Sequence, residues 1–266
     1  MAGRIDVNAD LGESFGAWTM GADEELLGLV SSANVACGFH AGDPVVMDLT
    51  VARAVQAGVA LGAHPSHFDL RGFGRREIAA SPHEVEADVI YQVGALAAFA
   101  RSHGARLVHV KPHGALYNQA AVDEALAGAI ARATARVDRE LVLVGLASSS
   151  AMRRAAEEAG LRYAAEAFAD RAYEADGSLR PRRLPGAVIT DPEQAAAQAL
   201  RIARDGLVRA ASGAEVALRA ETLCLHGDNP HALAIARAVR RAFDSAGIGV
   251  RALRERPQYS TKASSG

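Results

Sequence analysis

Cysteine is nearly absent from this sequence: Cys37 and Cys224 alone occur, far apart and in no Cys-x-x-Cys spacing. Two such residues build neither a disulfide framework nor a thiolate zinc knuckle, and a reducing compartment fits. An excess of one charge is missing too, with 29 Lys+Arg against 31 Asp+Glu and a formal balance of −2. Without a block of Lys and Arg there is no basic face for nucleic-acid phosphates, which argues against that partner and favours small substrates. No stretch approaches the ~20 apolar residues of a membrane span. The N-terminus runs into Ile5-Asp6-Val7-Asn8 without the apolar core of a signal peptide. The expected location is the cytoplasm. Aromatics are scarce at 5% while alanine abounds, which points to closely packed helices. The glycine-rich pieces, Gly72-Phe73-Gly74 and the Gly12/Gly16 pair, match neither a P-loop nor a GxGxxG opening a helix, so the chain carries no recognisable nucleotide cradle of its own.

What is present is alternation. Short β-branched or apolar runs recur between longer helical stretches. Strands are predicted at Arg4 to Asp10, Ala33 to Phe39, Ala60 to His64, Leu107 to Pro112, Leu141 to Leu146, Tyr163 to Phe168 and Thr222 to His226, with a weak one at Gly249 to Leu253. Ser81-Pro82-His83-Glu84 and Asp191-Pro192-Glu193-Gln194 each offer an N-cap, Pro at the first helical position and an acid or amide two residues on. Asp43-Pro44 and Asn229-Pro230 resemble the same device. Six or seven βα units imply an α/β protein with a parallel sheet, open or closed. The 266 residues suit one barrel domain, placed at 1–256 and followed by a polar tail at 257–266. Tyr173 to Pro185, rich in Gly, Pro and Arg, is expected as a loop or hairpin over one face of the sheet.

Strand parity sorts the chemistry. Asp6, Asn8 and Asp10 share one face while Ile5, Val7 and Ala9 share the other. By the same rule His109, Lys111 and His113 fall together, as do Glu166 with Asp170 and His226 with Asp228. Polar residues gather at the C-terminal ends of strands: Asp10, His40, His64, His113, Asp170 and Asp228. Such a ring is how the mouth of a closed parallel barrel reads, and closure is therefore expected over an open sheet. Asp10, Glu13, His40, His64, His113, His226 and Asp228 are O and N donors suited to Zn, Mn, Fe or Ni, more than the roughly three ligands a catalytic metal needs. A carboxylate can serve as base and a neighbouring His as acid. Lys111 is fit to meet a carboxylate, phosphate or oxyanion, with Arg75, Arg76 and Arg171 as further anion binders. Blander roles compete: Asp43 as a helix cap, His83 and His103 as solvated helix residues, His109 as a hydrogen-bonded interior residue, and both cysteines as small apolar packing groups. His67 and His231 stay undecided.

Several runs are recognisable: Asn8-Ala9-Asp10-Leu11-Gly12-Glu13-Ser14-Phe15-Gly16, Ser32 to Asp43, Gly62-Ala63-His64-Pro65, Gly72 to Arg76, Val110-Lys111-Pro112-His113-Gly114-Ala115-Leu116-Tyr117-Asn118, Glu166 to Tyr173 and His226-Gly227-Asp228. Spanning residue 4 to about 250 in order, they resemble the LamB/YcsF family. The resemblance implies a distorted seven-stranded (β/α) barrel, TIM-like and akin to the glycoside hydrolase/deacetylase superfamily. It implies work alongside B and C subunits of an ATP-dependent 5-oxoprolinase, opening 5-oxo-L-proline to L-glutamate with ADP and phosphate as products. ATP would be a co-substrate bound with the partner subunits, and a divalent metal is compatible with the donors. Carried over by position, Asp10, Glu13, His40, His64, His113 and Asp228 form the polar pocket with Lys111 and Arg171 as anion binders. Asn8, Asn34, Arg75, Glu166, Asp170 and His226 are expected on the substrate side. Which residue is base, acid, nucleophile or ligand stays open. Two other readings compete: a stand-alone metal-dependent deacetylase or amidohydrolase, and a non-catalytic binding module. Ala-rich outer helices would also allow a homo-oligomer. One departure stands out: Ser66-His67-Phe68-Asp69-Leu70 replaces the usual Gly-Tyr-Pro-Asp-Leu and is expected to put an extra ionisable group, His67, near the mouth.

Overall fold

A computed structural model describes residues 3–227 and 231–253. In chain order it builds β1 (Arg4–Leu11), α1 (Asp23–Leu27), β2 (Ser32–Ala36), α2 (Pro44–Gln56), β3 (Ala60–His64), α3 (Pro82–Ser102), β4 (Leu107–Val110), α4 (Gly114–Ala120) and α5 (Glu124–Val137). Then follow β5 (Val142–Leu146), α6 (Ser150–Glu158), β6 (Arg162–Phe168), α7 (Pro192–Asp205), the short strands β7 (Leu207–Arg209) and β8 (Glu215–Ala217), β9 (Thr222–Leu225), α8 (Ala232–Ser245) and β10 (Gly249–Val250).

Seven parallel strands close on themselves in the order β1-β2-β3-β4-β5-β6-β9, the ring sealed by β9 pairing with β1, while β10 adds to β1 outside the ring. The closed α/β barrel expected from the ring of polar strand ends is thus present. The β7–β8 antiparallel hairpin was not anticipated. Its three-residue strands, Leu207–Arg209 and Glu215–Ala217, are too short to carry a period. The segment 173–185 carries an isolated antiparallel bridge, Tyr173 to Leu179, and a second one, Arg171 to Val188, closes just outside it, in keeping with the expected loop or hairpin. The second strand ends at Ala36 rather than Phe39, because Gly38 turns the chain at φ +91° and bonds to Ala41.

Helix starts follow local chemistry. Asp43 accepts from Val45 and Val46 at the head of α2, Ser81 and Glu84 form a reciprocal box at α3, and Asp191 accepts from Gln194 at α7. Among the described residues no helix is long and apolar enough to cross a membrane. The expected tail, 257–266, lies outside the described residues.

Parity divides the barrel wall. Ile5, Val7, Ala9 and Leu11 join the main apolar core, where Leu26, Val51, Leu96 and Phe243 of the helices are also buried. The other face of β1 turns inward. Inside, the wall is apolar along β5 and the start of β6, where Val142, Val144 and Ala164 cluster with Leu253, and polar along β1 to β4 and at Glu166 of β6. Gly62 is essential to this interior: a Cβ there would overlap the His109 imidazole.

Candidate active site

Lys111 anchors the barrel interior. Its Nζ lies 3.0 Å from Asp10 Oδ1, 3.0 Å from Glu166 Oε1 and 3.2 Å from Asn8 Oδ1, and donates to Cys224 Sγ at 2.9 Å. Burial alone would weaken its hold on its proton, yet the facing carboxylates outweigh burial and keep it well above the ordinary lysine range. Burial pushes the Cys224 thiol well up as well, so sulfur meets the ammonium as a neutral acceptor. Asp10 is also buried, which raises a carboxyl, but His64 and Lys111 win and hold it well below the usual carboxylate range. Asn34 ties the floor together: its Nδ2 donates to Asn8 Oδ1 at 2.7 Å and to Asp10 Oδ1 at 2.8 Å, and its Oδ1 accepts from His109 Nε2 at 2.7 Å. One layer deeper, Asp6 accepts from Ser31, Ser32 and Thr222, and burial raises its carboxyl despite these bonds.

Next to this floor lies an imidazole cluster. His64 Nδ1 sits 2.7 Å from the Lys111 carbonyl oxygen, and His113 Nε2 sits 2.9 Å from that of Phe73. A carbonyl only accepts, so each of these nitrogens carries hydrogen. The remaining nitrogens, His64 Nε2 and His113 Nδ1, then face one another at 2.9 Å as lone pairs. Two lone pairs at that distance repel one another unless a cation, a proton taken up from a reactant or a metal ion, comes between them. Burial holds His113 and His40 well below the ordinary imidazole range, so both are neutral donors. Glu13 Oε1 lies 3.2 Å from His40 Nε2 and 3.8 Å from His113 Nδ1. Glu13, His40, His64 and His113 thus bring four ligand atoms within 4.8 Å of one another. The His40 and His113 rings stack in parallel, 3.8 Å apart and tilted by 2°, so an ion in the plane of one lies out of the plane of the other. The cluster therefore offers three well-directed donors, enough for a catalytic metal with open positions. Asp10, Cys224 and His226 form a second close group, but a protonated thiol and the adjacent Lys111 ammonium make it a poor cation site.

Gly74 shapes this corner. It holds φ +63°, and a Cβ there would meet Ser66, His113 and His40. On the other side, His226 Nδ1 pairs with Asp170 Oδ1 at 2.8 Å and its ring stacks on Phe168.

Above these groups opens a cavity of about 610 Å³. Asp10, His64, Lys111, His113 and His226 reach it, and Arg75 and Arg171 stand on its wall. Asn8, Asn34, Glu166 and Asp170, expected at the substrate, are instead buried behind the lining, where they orient Lys111, Asp10 and His226. Glu13 and His40 likewise sit behind His113. Asp228 lies outside the described residues. Arg76, expected to bind anions, is taken up by Asp69. His67 turns inward, 3% exposed and 2.8 Å from Gln119 Oε1, so it adds no ionisable group at the mouth. Cys224 was expected to be mere packing. It touches Lys111 because even-numbered residues of β9 face the interior, a parity that the neighbouring His226 already signalled. Tyr117, also missed, lines the cavity from α4, where its buried hydroxyl lies against the Glu166 carboxylate.

The chain resembles known proteins over nearly its whole length. Over 253 residues, 95% of this chain and 99% of the relative, it is 56% identical to the A subunit of 5-oxoprolinase from Heliobacterium modesticaldum. It is 59% identical over 248 residues to the corresponding 5-oxoprolinase chain of Bordetella pertussis, covering 93% of this chain and 98% of the relative. The crystal structure of a lactam utilization protein from Thermus thermophilus superposes with a TM-score of 0.89 at 53% identity, covering 94% of this chain and 100% of that one. The family profile matches residues 5–258, and the chain belongs to the LamB/YcsF family.

Proposed function

We propose that this chain is the hydrolytic A subunit of an ATP-dependent 5-oxoprolinase, opening 5-oxo-L-proline to L-glutamate together with B and C subunits. The observation that carries the reading is the junction of Lys111, Asp10, His64 and His113 at the floor of one cavity, in a chain whose relatives bear that name. An unstrained lactam is a poor electrophile. Phosphorylating its carbonyl oxygen at the cost of ATP turns that oxygen into a leaving group. Water then attacks the same carbon and the C–N bond breaks as the ring nitrogen takes a proton, which leaves an acyl phosphate; a second water attacks that carbonyl carbon and phosphate departs, giving L-glutamate. In this site the His64–His113 pair accepts the proton of the attacking water, Lys111 stabilises negative charge developing on oxygen, and His226, oriented by Asp170, delivers a proton to the departing nitrogen. Asp10 stays ionised and fixes Lys111 and His64. Glutamate release from 5-oxoproline and ATP tests this directly. Activity is expected only when the chain is combined with B and C subunits, and silence in every mixture of associated subunits overturns the reading.

A second reading, a stand-alone metal-dependent deacetylase or amidohydrolase, is favoured by the Glu13, His40, His64 and His113 donor set. A divalent ion held there would polarise a carbonyl and lower the pKa of a bound water. Turnover of amides or N-acetyl sugars by the chain alone, abolished by a chelator and restored by Zn or Mn, would establish it.

A further inference from the structure

Arg171 is an unusual cation. It is 5% exposed, its Nε donates to Ala187 O at 3.2 Å and its Nη2 to Arg180 O at 2.7 Å, and among the described residues no carboxylate forms an ion pair with it. The adjacent Asp170 carboxylate is committed to His226. A buried charge held by carbonyl dipoles, and drawn to an Asp170 carboxylate that is itself committed elsewhere, is costly unless an anion joins it. Two more guanidinium groups crowd it. Burial first, then Arg182 and Arg75, pull the Arg171 pKa down to about 10. These three arginines come from two connections, Arg75 from the one after β3 and Arg171 and Arg182 from the long one between β6 and α7, and all line the cavity beside Lys111. Lys111 is already matched by Asp10 and Glu166, so Arg171 is the buried cation that remains to receive an anion. Glu77 and Asp176 also line the cavity, but both are solvent-exposed.

We propose that Arg75, Arg171 and Arg182 form a subsite for a phosphoryl dianion in this chain's own cavity. The inference rests on the ATP-dependent reading above and deepens it: the activated phosphoryl group is gripped here, even though no P-loop exists in the sequence. A single carboxylate is satisfied by one planar guanidinium fork, whereas three forks converging on one wall match the several oxygens and double charge of a phosphoryl group. Size agrees. Cavities of roughly 300–1,000 Å³ hold drug-sized ligands, so about 610 Å³ leaves room for a phosphoryl group beside a five-membered lactam.

Titration calorimetry of the full chain with inorganic phosphate, acetyl phosphate, ATP, ADP and 5-oxoproline tests the subsite. Binding of at least one phosphoryl ligand is expected, weakened about tenfold or more by R182A and by R75A, two exposed positions, each variant scored only with its melting temperature kept. R241A, paired with Glu193 and outside the cavity lining, should bind as the parent does. R171K, scored only if its melting temperature is kept, should weaken binding without abolishing it. Preference for ATP and ADP identifies a nucleotide as the carrier, and preference for acetyl phosphate and phosphate identifies a phosphorylated substrate. Either supports the subsite. Absence of phosphoryl binding at millimolar concentration, or binding indifferent to R182A and R75A, overturns it. Glutamate release is scored separately, so loss of the subsite with turnover retained, or the reverse, separates the two ideas.

Discussion

Lys111 Nζ stands 3.0 Å from a carboxylate oxygen of Asp10 on β1 and 3.0 Å from one of Glu166 on β6, so one buried ammonium neutralises two buried acids. Removing it strands both. Lys111→Met should therefore lower stability by about 3–5 kcal/mol, and glutamate release by the reconstituted complex should vanish with it. Adding Asp10→Asn to that variant should recover part of the melting temperature and none of the activity. Full activity in Lys111→Met would remove Lys111 from the chemistry.

His226 is oriented by Asp170 at 2.8 Å, and an acceptor-only carboxylate there fixes the ring nitrogen that carries hydrogen. Asp170→Asn keeps the shape and loses that control. Its kcat should fall about 10–100-fold with KM and melting temperature little changed. A pure rise in KM would reassign Asp170 to substrate binding.

His109 is buried and neutral, its pKa pushed down to about 3 by burial first and by Lys111 second. Unfolded, it takes a proton near its ordinary value of about 6.5. As pH falls from 6.5 toward 3 the unfolded state binds a proton that the folded state refuses, so stability drops. The slope from this residue is roughly 1.4 kcal/mol per pH unit, and none of the loss occurs above pH 7. Denaturant melts across that range should flatten in His109→Gln, whose amide can still donate to Asn34. An unchanged slope would show that other groups drive the acid loss.

Gly62 leaves the space that the His109 ring occupies. Gly62→Ala should cost roughly 1–3 kcal/mol by forcing the ring aside, and the Gly62→Ala/His109→Ala double variant should lose less than the two single effects summed. Additive losses in denaturant melts would mean that the two positions do not share one space.

Much of this protein was legible in its residues. Asp6-Val7-Asn8-Ala9-Asp10 alternates strictly, and a strand can satisfy that alternation only by turning acids to one side and aliphatics to the other. Hence the inward polar face of β1 followed from the sequence, as did the capped starts of α2, α3 and α7. The hairpin β7–β8 was not legible, since three-residue strands carry too little pattern to stand out from a loop.

Composition and periodicity by themselves determined the alternation of strand and helix and the face on which each polar side chain emerges, while particular residue runs carried the resemblance to the family. Those are local properties, set by a two-residue strand repeat and by cap chemistry within a turn. Only the tertiary structure decided which candidates meet at the cavity. It moved Asn8, Asn34, Glu166 and Asp170 from the expected substrate surface to supporting positions behind it, gave Arg76 to Asp69, and buried His67 against Gln119. It also set Cys224 against Lys111 and buried Arg171 among carbonyls, with no carboxylate in an ion pair with it among the described residues. Burial and distance depend on which strands become neighbours when β9 closes on β1, and that closure brings together residues more than two hundred positions apart.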